Sequence, residues 1–288
     1  MVKKIKKIST LVEDIHTLID TGKHKLDTDN LNLFLDTMKY EVTRFLEPYE
    51  GERKNLRLSA VGREDRKLWY EMNDTKKRKI SPQLRMRFFY GNIVEALLLF
   101  LAQESGHVVK DQQKEVKLEG VKGHIDAVID DVLVDVKSAS DYSFKKFKNA
   151  TLFDDDPFGY IGQISSYMEA LNLDEGAFLA FNKNTGAITL LEIDELMTIN
   201  ASSRIKHLKK VIKQKKAPDR CYGDEEYGTS GNRVVNNNCN YCDYRVDCWK
   251  DANDGRGLRT FKYANGYKYF TKIVNEPKVE EIRNLWNE

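Results

Sequence analysis

The stretch Gly123-His124-Ile125-Asp126-Ala127-Val128-Ile129-Asp130-Asp131-Val132-Leu133-Val134-Asp135-Val136-Lys137 constrains the fold more than any other part of the chain. Apolar and β-branched residues on either side of Asp130-Asp131 predict two strands joined by a two-residue turn. The strand period then sets the register: Ile129 faces Val132, Val128 faces Leu133, Ala127 faces Val134 and Asp126 faces Asp135. Two steps further out, His124 faces Lys137 on the same side of the sheet. Carboxylates opposed in a hydrophobic hairpin repel each other, and desolvation sharpens the repulsion. A hard divalent ion such as Mg2+ between them would relieve it. Lys137 would then orient or deprotonate a water, or neutralise a phosphate. The same residues also suit a solvated hairpin face with a satisfied Asp–Lys pair, and the stretch by itself leaves both readings open.

A chain of 288 residues can bury a full core as one enlarged domain or two small ones. Charged residues make up 32% and mean hydropathy is −0.59, the profile of a soluble globular protein. No apolar run approaches the ~20 residues that span a bilayer, and the basic start Met1 to Lys7 leads into a helical period without a cleavable apolar segment, so the expected compartment is the cytoplasm. Net charge is only +2, but basic runs at Lys76 to Lys79, Arg85 to Arg87, Lys145 to Lys148 and Lys206 to Lys216 stand apart from the acidic Asp154-Asp155-Asp156. Separated patches of this kind can hold a phosphate backbone, although each alone also reads as a solvated face.

Helical periodicity predicts an amphipathic helix from Ile5 to about Gly22, a second after Asp29 that stops before Pro48, and a third near Arg66 to Met72. Ser81-Pro82 opens a fourth, running to Phe100 and carrying Glu95 inside its apolar half. A carboxylate there calls for a cation or a polar partner, an ordinary salt bridge included. His107 to Leu118 reads as one strand, ahead of the central hairpin. Asp156-Pro157 starts a helix reaching Asn172, on which Gln163 and Tyr167 share a face. Strands at Ala177–Phe181 and Ala187–Ile193 follow, then a helix from about Glu195 to Lys216 with Met197, Ile205, Leu208 and Ile212 inward. No G-x-x-x-x-G-K phosphate loop occurs, so no ATP-driven motor is expected.

Taken in order, Glu95, Gly123-His124-Ile125-Asp126, Asp135-Val136-Lys137 and Gln163-Ile164-Ser165-Ser166-Tyr167 resemble the PD-(D/E)XK nuclease superfamily, most closely its RecB-like exonuclease branch, over about residues 59 to 250. The resemblance implies an α/β fold with a restriction-endonuclease-like core: a central mixed sheet flanked by helices. It further implies that Asp126 and Asp135 bind Mg2+ or Mn2+ with Glu95 completing the site, and that Lys137 positions or activates the attacking water. Gln163 and Tyr167 would contact DNA or organise the site. His124 lies outside the family signature and is expected as a neighbour of Lys137 that reaches a phosphate. The expected organisation is an N-terminal helical region (1–80), the nuclease core (81–216) and a C-terminal cysteine segment with a hairpin (217–288).

All four cysteines follow residue 220: Cys239, Cys242 and Cys248 in a C-x2-C-x5-C pattern, with Cys221 upstream. Four thiolates can bind zinc or an iron–sulfur cluster, and spacing alone does not choose between them. The compact trio resembles the iron–sulfur nucleases of the RecB-like branch, among them CRISPR-associated nucleases. Those usually take a fourth ligand from ahead of the core, where this chain has Gly62 to Lys67 and no cysteine. Cys221 would then complete the set, and the resemblance favours a 4Fe-4S cluster over zinc. Farther on, Leu258–Tyr263 and Tyr267–Thr271 flank Asn265-Gly266, a hairpin signal with lysines and aromatics interleaved. It suits either a grip on single-stranded DNA or an edge hairpin protected by its lysines.

The resemblance implies a metal-dependent DNA exonuclease acting on single-stranded or duplex ends in phage or mobile-element recombination, repair or processing, with a recombination or replication protein as a conceivable partner. An endonuclease on the same core, and a non-catalytic DNA-binding protein with structural zinc, are the competing readings.

Overall fold

The structure, a computed structural model, describes residues 5–23, 25–48, 55–74 and 80–282. The basic run Lys76 to Lys79 and the start Met1 to Lys4 lie outside the described residues. The first elements are α1 (Leu11–Thr21), α2 (Thr28–Leu46), α3 (Asp65–Asn73), α4 (Pro82–Glu104), β1 (Val109–Lys110), β2 (Glu115–Leu118), β3 (Val121–His124), β4 (Ala127–Ile129) and β5 (Val132–Ala139). Then come α5 (Asp141–Lys148), α6 (Tyr160–Leu171), β6 (Glu175–Asn182), β7 (Ile188–Asp194) and α7 (Ala201–Ile212). The last are β8 (Asp224–Tyr227), β9 (Asn232–Val235), α8 (Arg245–Cys248), α9 (Ala252–Gly255), β10 (Arg259–Tyr263) and β11 (Gly266–Lys272). The chain divides into two compact units, residues 1–63 with 75–209, and residues 64–74 with 210–288.

The larger unit is built on a five-stranded sheet ordered β1-β4-β5-β6-β7, in which β5 and β6 run parallel and the other pairs antiparallel. This is the mixed sheet flanked by helices that the α/β expectation called for. The parallel pair demands a crossover, which α5 and α6 supply. Val132, Val134 and Val136 of β5 join Leu11, Ile15, Val94, Leu98 and Ala102 in one core, so α1 and α4 cover that face. Alternation then turns Leu133, Asp135 and Lys137 to the opposite face, beneath α6. The central hairpin has the expected register, Ala127 opposite Val134 through Ile129 opposite Val132. Asp130 and Asp131 both have positive φ, 50° and 68°, as a type I′ turn requires.

Several boundaries differ from the sequence expectation. Residues 107–118 do not form one strand: Asp111 and Gln113 turn the chain at positive φ, so β1 pairs with β4 while β2 pairs with β3 in a separate ribbon. α1 begins later than Ile5, after a 3-10 turn at Ile8–Thr10. α2 is capped by Asp27, whose carboxylate accepts from the amides of Asp29 and Asn30. α6 starts at Tyr160, and Asp156 still serves its first turn by accepting from the Tyr160 and Ile161 amides at 2.9 and 2.8 Å. α7 starts at Ala201 because Asp194 caps a separate 3-10 turn; its buried stripe is Ala201, Ile205, Leu208 and Val211, and Met197 is exposed.

The smaller unit holds a four-stranded antiparallel sheet ordered β10-β11-β9-β8. The expected C-terminal hairpin is present with its loop one residue earlier, at Ala264-Asn265, since Tyr263 pairs with Gly266. Phe261 and Phe270 are fully buried with Val234, so these two rings build the unit's core and are not available to DNA bases. Tyr70 of α3 stacks on Tyr244 at 5.4 Å and donates to the Asp247 carbonyl.

Candidate active site

Asp135 and Lys137 emerge from the same face of β5 because they are two residues apart. Lys137 Nζ forms an ion pair with Asp135 Oδ2, within a carboxylate that is buried almost completely. Gln163 of α6 spans the pair: its amide donates to Asp135 Oδ1 at 2.8 Å and its carbonyl accepts from Lys137 Nζ at 3.3 Å. The ammonium also lies 4.6 Å from the centroid of the Tyr160 ring. Burial disfavours the charge on Lys137, but Asp135 and Asp126 outweigh it and hold the pKa above the usual lysine value.

Asp126 does not extend the hairpin ladder. Its carboxylate replaces a strand partner by accepting from the Val136 amide at 2.7 Å, while its own carbonyl accepts from the Gln113 amide. Burial first, then the charges of Asp135 and Glu95, push its pKa well above the ordinary carboxylate range. Glu95, half-buried on α4, accepts from Gln113 at 2.5 Å. Burial, reinforced by Asp135, raises it to about 7. The structure therefore brings Glu95, Asp126, Asp135, Lys137 and Gln163 into one electrostatic neighbourhood.

Tyr167 is buried, 2% exposed, and is a core residue under the site with no surface to offer a strand. Its phenol is raised by burial and by the nearby Asp135 and Asp126, and hydrogen-bonds to Gln163 and Ser59. Gly123 is required for this packing: a Cβ there would stand 2.7 Å from the Tyr167 ring and 2.8 Å from Leu58 Cβ. His124 is the clear correction. It pairs with Glu115 in the β2–β3 ribbon, not with Lys137, and its side chain is 56% exposed. The chain passes from one sheet to the other at Ile125-Asp126, so the hairpin register cannot be extrapolated across that step.

Tyr160 and Gln113 were not anticipated. A donor beside a buried Glu could have been sought in the neighbouring loop, but nothing in the local pattern singled out either residue. The basic runs are partly engaged elsewhere: Lys146 pairs with Asp155, Lys206 with Glu119, and Arg85 donates to the Phe45 and Glu47 carbonyls.

Among the described residues, no three His, Cys, Asp or Glu side chains stand as a ready-made coordinating set. Asp135 is held instead by Lys137 and Gln163, and Asp126 by the Val136 amide. The donor chemistry still fits a hard divalent ion: three carboxylates, two of them raised by burial and then by neighbouring carboxylate charge.

The four cysteines lie in the smaller unit as free, half-buried thiols. Burial raises Cys221 to about 11 and Cys239 to about 12, and the neighbouring cysteines push both in the same direction. Arg66 of α3 donates to Cys248 Sγ at 3.0 Å, and Cys221 accepts from the Lys67 amide.

The raised acidic groups predict a pH dependence. A carboxyl raised to about 7 in the folded protein holds its proton where the unfolded chain has released it, so stability falls as pH rises from about 4.5 toward 7. Asp126 acts in the same direction. Without added metal, Glu95→Gln should flatten this slope in thermal unfolding measured across that window; an unchanged profile would place the titration elsewhere.

No family model matches the chain, and no curated protein matches it. Among solved structures it is similar to the protein SSO0001, at 15% identity and TM-score 0.42, covering 74% of this chain and 93% of that one. It is also similar to a phage-related exonuclease from Haemophilus somnus 129PT, at 14% identity and TM-score 0.39, covering 55% and 90%. An alkaline exonuclease from Laribacter hongkongensis gives 14% identity and TM-score 0.36, covering 56% and 90%. Among the described residues, no helix is long and apolar enough to cross a membrane.

Proposed function

We propose that the chain is a metal-dependent deoxyribonuclease that hydrolyses phosphodiester bonds from DNA ends. The observation that carries this reading is the buried Asp135–Lys137 ion pair bridged by Gln163, with Asp126 and Glu95 near enough to interact electrostatically with it and both raised, by burial first and by the neighbouring carboxylates second. Glu95, Asp126 and Asp135 would hold Mg2+ or Mn2+, which supplies Lewis-acid stabilisation of charge developing on the phosphoryl oxygens. Lys137 offers its ammonium to the attacking water or to a phosphate oxygen. Gln163 fixes Lys137 and Asp135 relative to each other, and the Tyr160 ring restricts where the ammonium can go. Incubating the protein with end-labelled and circular DNA, single- and double-stranded, in Mg2+, Mn2+ or chelator tests this directly. Loss of end label without cutting of circles supports exonuclease action, cut circles point to an endonuclease, and binding without cleavage under every metal refutes the reading.

Cys221, Cys239, Cys242 and Cys248 would hold a 4Fe-4S cluster, with zinc as the competing occupant. Support comes from Cys221, Cys239 and Cys242, raised first by burial and also by neighbouring thiols, and from the Arg66 and Lys67 donors directed at two of the sulfurs. Anaerobically purified protein should be brown and contain iron and acid-labile sulfide, and Cys221→Ser should bleach it. Colourless protein with stoichiometric zinc would decide for the alternative.

A further inference from the structure

We propose that Phe158 is a stacking platform for an unpaired base beside the cleavage site, which makes strands with single-stranded ends the preferred substrate class; the inference rests on the nuclease reading above. The Phe158 ring is 50% exposed. Exposed rings are common, and this one is distinguished by what lies under and around it. It stacks on Tyr160 with centroids 5.5 Å apart and planes 25° from parallel, and Tyr160 is the ring that lies against the Lys137 ammonium. One stacked step therefore links an open aromatic surface to the charged centre.

The segment that presents Phe158 is fixed on both sides. Before it, Asp156 accepts from the Tyr160 and Ile161 amides, and Asp155 is held by Lys146 at 2.5 Å. After it, Gly159 adopts positive φ, 76°, and abuts the Gly62 backbone so closely that no side chain fits on either residue. Lys146 itself lies 5.0 Å from the ring centroid of Tyr142, which is 69% exposed. A ring held in place before binding loses little freedom when a base covers it. Base–aromatic stacking is tolerant of sequence, because every base presents a π-face. A base inside a duplex is stacked on both faces, and at a blunt end only the terminal pair offers one face, held in place by its partner, so the platform favours unpaired ends.

The test uses a single-stranded oligonucleotide with 2-aminopurine at its terminus and a blunt duplex of the same sequence, with Ca2+ for binding and Mg2+ for turnover. Quenching of 2-aminopurine is expected with the unaltered protein, lost in Phe158→Ala and retained in Phe158→Trp. Phe158→Ala should weaken single-strand binding about ten-fold, the worth of one stacked base, and raise KM by the same factor with kcat within two-fold. The blunt duplex should be affected less than the single strand. Equal quenching and equal KM in Phe158→Ala would overturn the platform even if cleavage persists. Absence of cleavage, with Phe158-dependent quenching intact, would instead refute the nuclease reading and leave the base-stacking site standing.

Discussion

Lys137→Ala should lower the rate of DNA cleavage by about 10²- to 10⁴-fold, the usual worth of a positioned proton-transfer or charge-neutralising group. The expectation follows from its placement: the ammonium pairs with Asp135, is steered by the Gln163 carbonyl and lies against the Tyr160 ring. Removing it also leaves a buried carboxylate without its cation, and breaking a buried pair from one side costs about 3–5 kcal/mol. The variant should therefore melt earlier without metal and recover part of the loss when Mg2+ is added, because a divalent ion can replace the missing charge. Asp135→Asn provides the complementary case, stranding the ammonium instead, and should lose both cleavage and Mg2+-dependent stabilisation. Single-turnover cleavage of an end-labelled oligonucleotide, read beside thermal unfolding with and without Mg2+, separates the chemical from the structural loss. Cleavage by Lys137→Ala at the unaltered rate would remove this lysine from the mechanism.

Gly162→Ala should be severely destabilising to the larger unit. A Cβ at this position would stand 2.3 Å from Gly62 Cα and 2.6 Å from Gly62 N, which are backbone atoms with no rotamer to move aside. The partner contact is as tight, since a Cβ on Gly62 would stand 2.2 Å from the Gly159 carbonyl oxygen. α6 would have to back away from the 61–63 segment, carrying Tyr160 and Gln163 with it. Overpacking of this kind costs about 3 kcal/mol, at the upper end of its usual range. A shift of about 1 Å in Gln163 would by itself cost about 10²-fold in rate. Gly91→Ala is the control: it lies within α4 with nothing inside 4 Å of its Cβ, so it should stabilise by about 1 kcal/mol. Chemical denaturation of the two variants checks the contrast, and equal midpoints would mean the Gly62 crossing is looser than its geometry states.

The parts of the site that were legible in the sequence are those specified within a few residues. The hairpin register followed from a two-residue turn and period-two alternation, because both act locally. The common direction of Asp135 and Lys137 followed from the same period, and the start of α4 from Ser81 and Pro82, where the Ser81 hydroxyl accepts from the Leu84 amide. His124 departs from the hairpin register because, at Asp126, a side chain takes over a ladder hydrogen bond and the strand changes sheets. The split of residues 107–118 was hidden for a related reason. Two left-handed residues, Asp111 and Gln113, cut a segment whose apolar content alone suits one strand.

The sequence by itself therefore determined which residues carry the charge and which strand holds Asp135 and Lys137, since pleat and turn are properties of neighbouring residues. Only the tertiary structure decided that Gln163 bridges Asp135 and Lys137, that Tyr167 lies buried against Gly123, and that Tyr160 links Phe158 to the ammonium. Those contacts join segments distant along the chain, and their geometry depends on backbone crossings such as Gly62 on Gly159 and Gly162, where the distance of approach is set by the absence of a side chain.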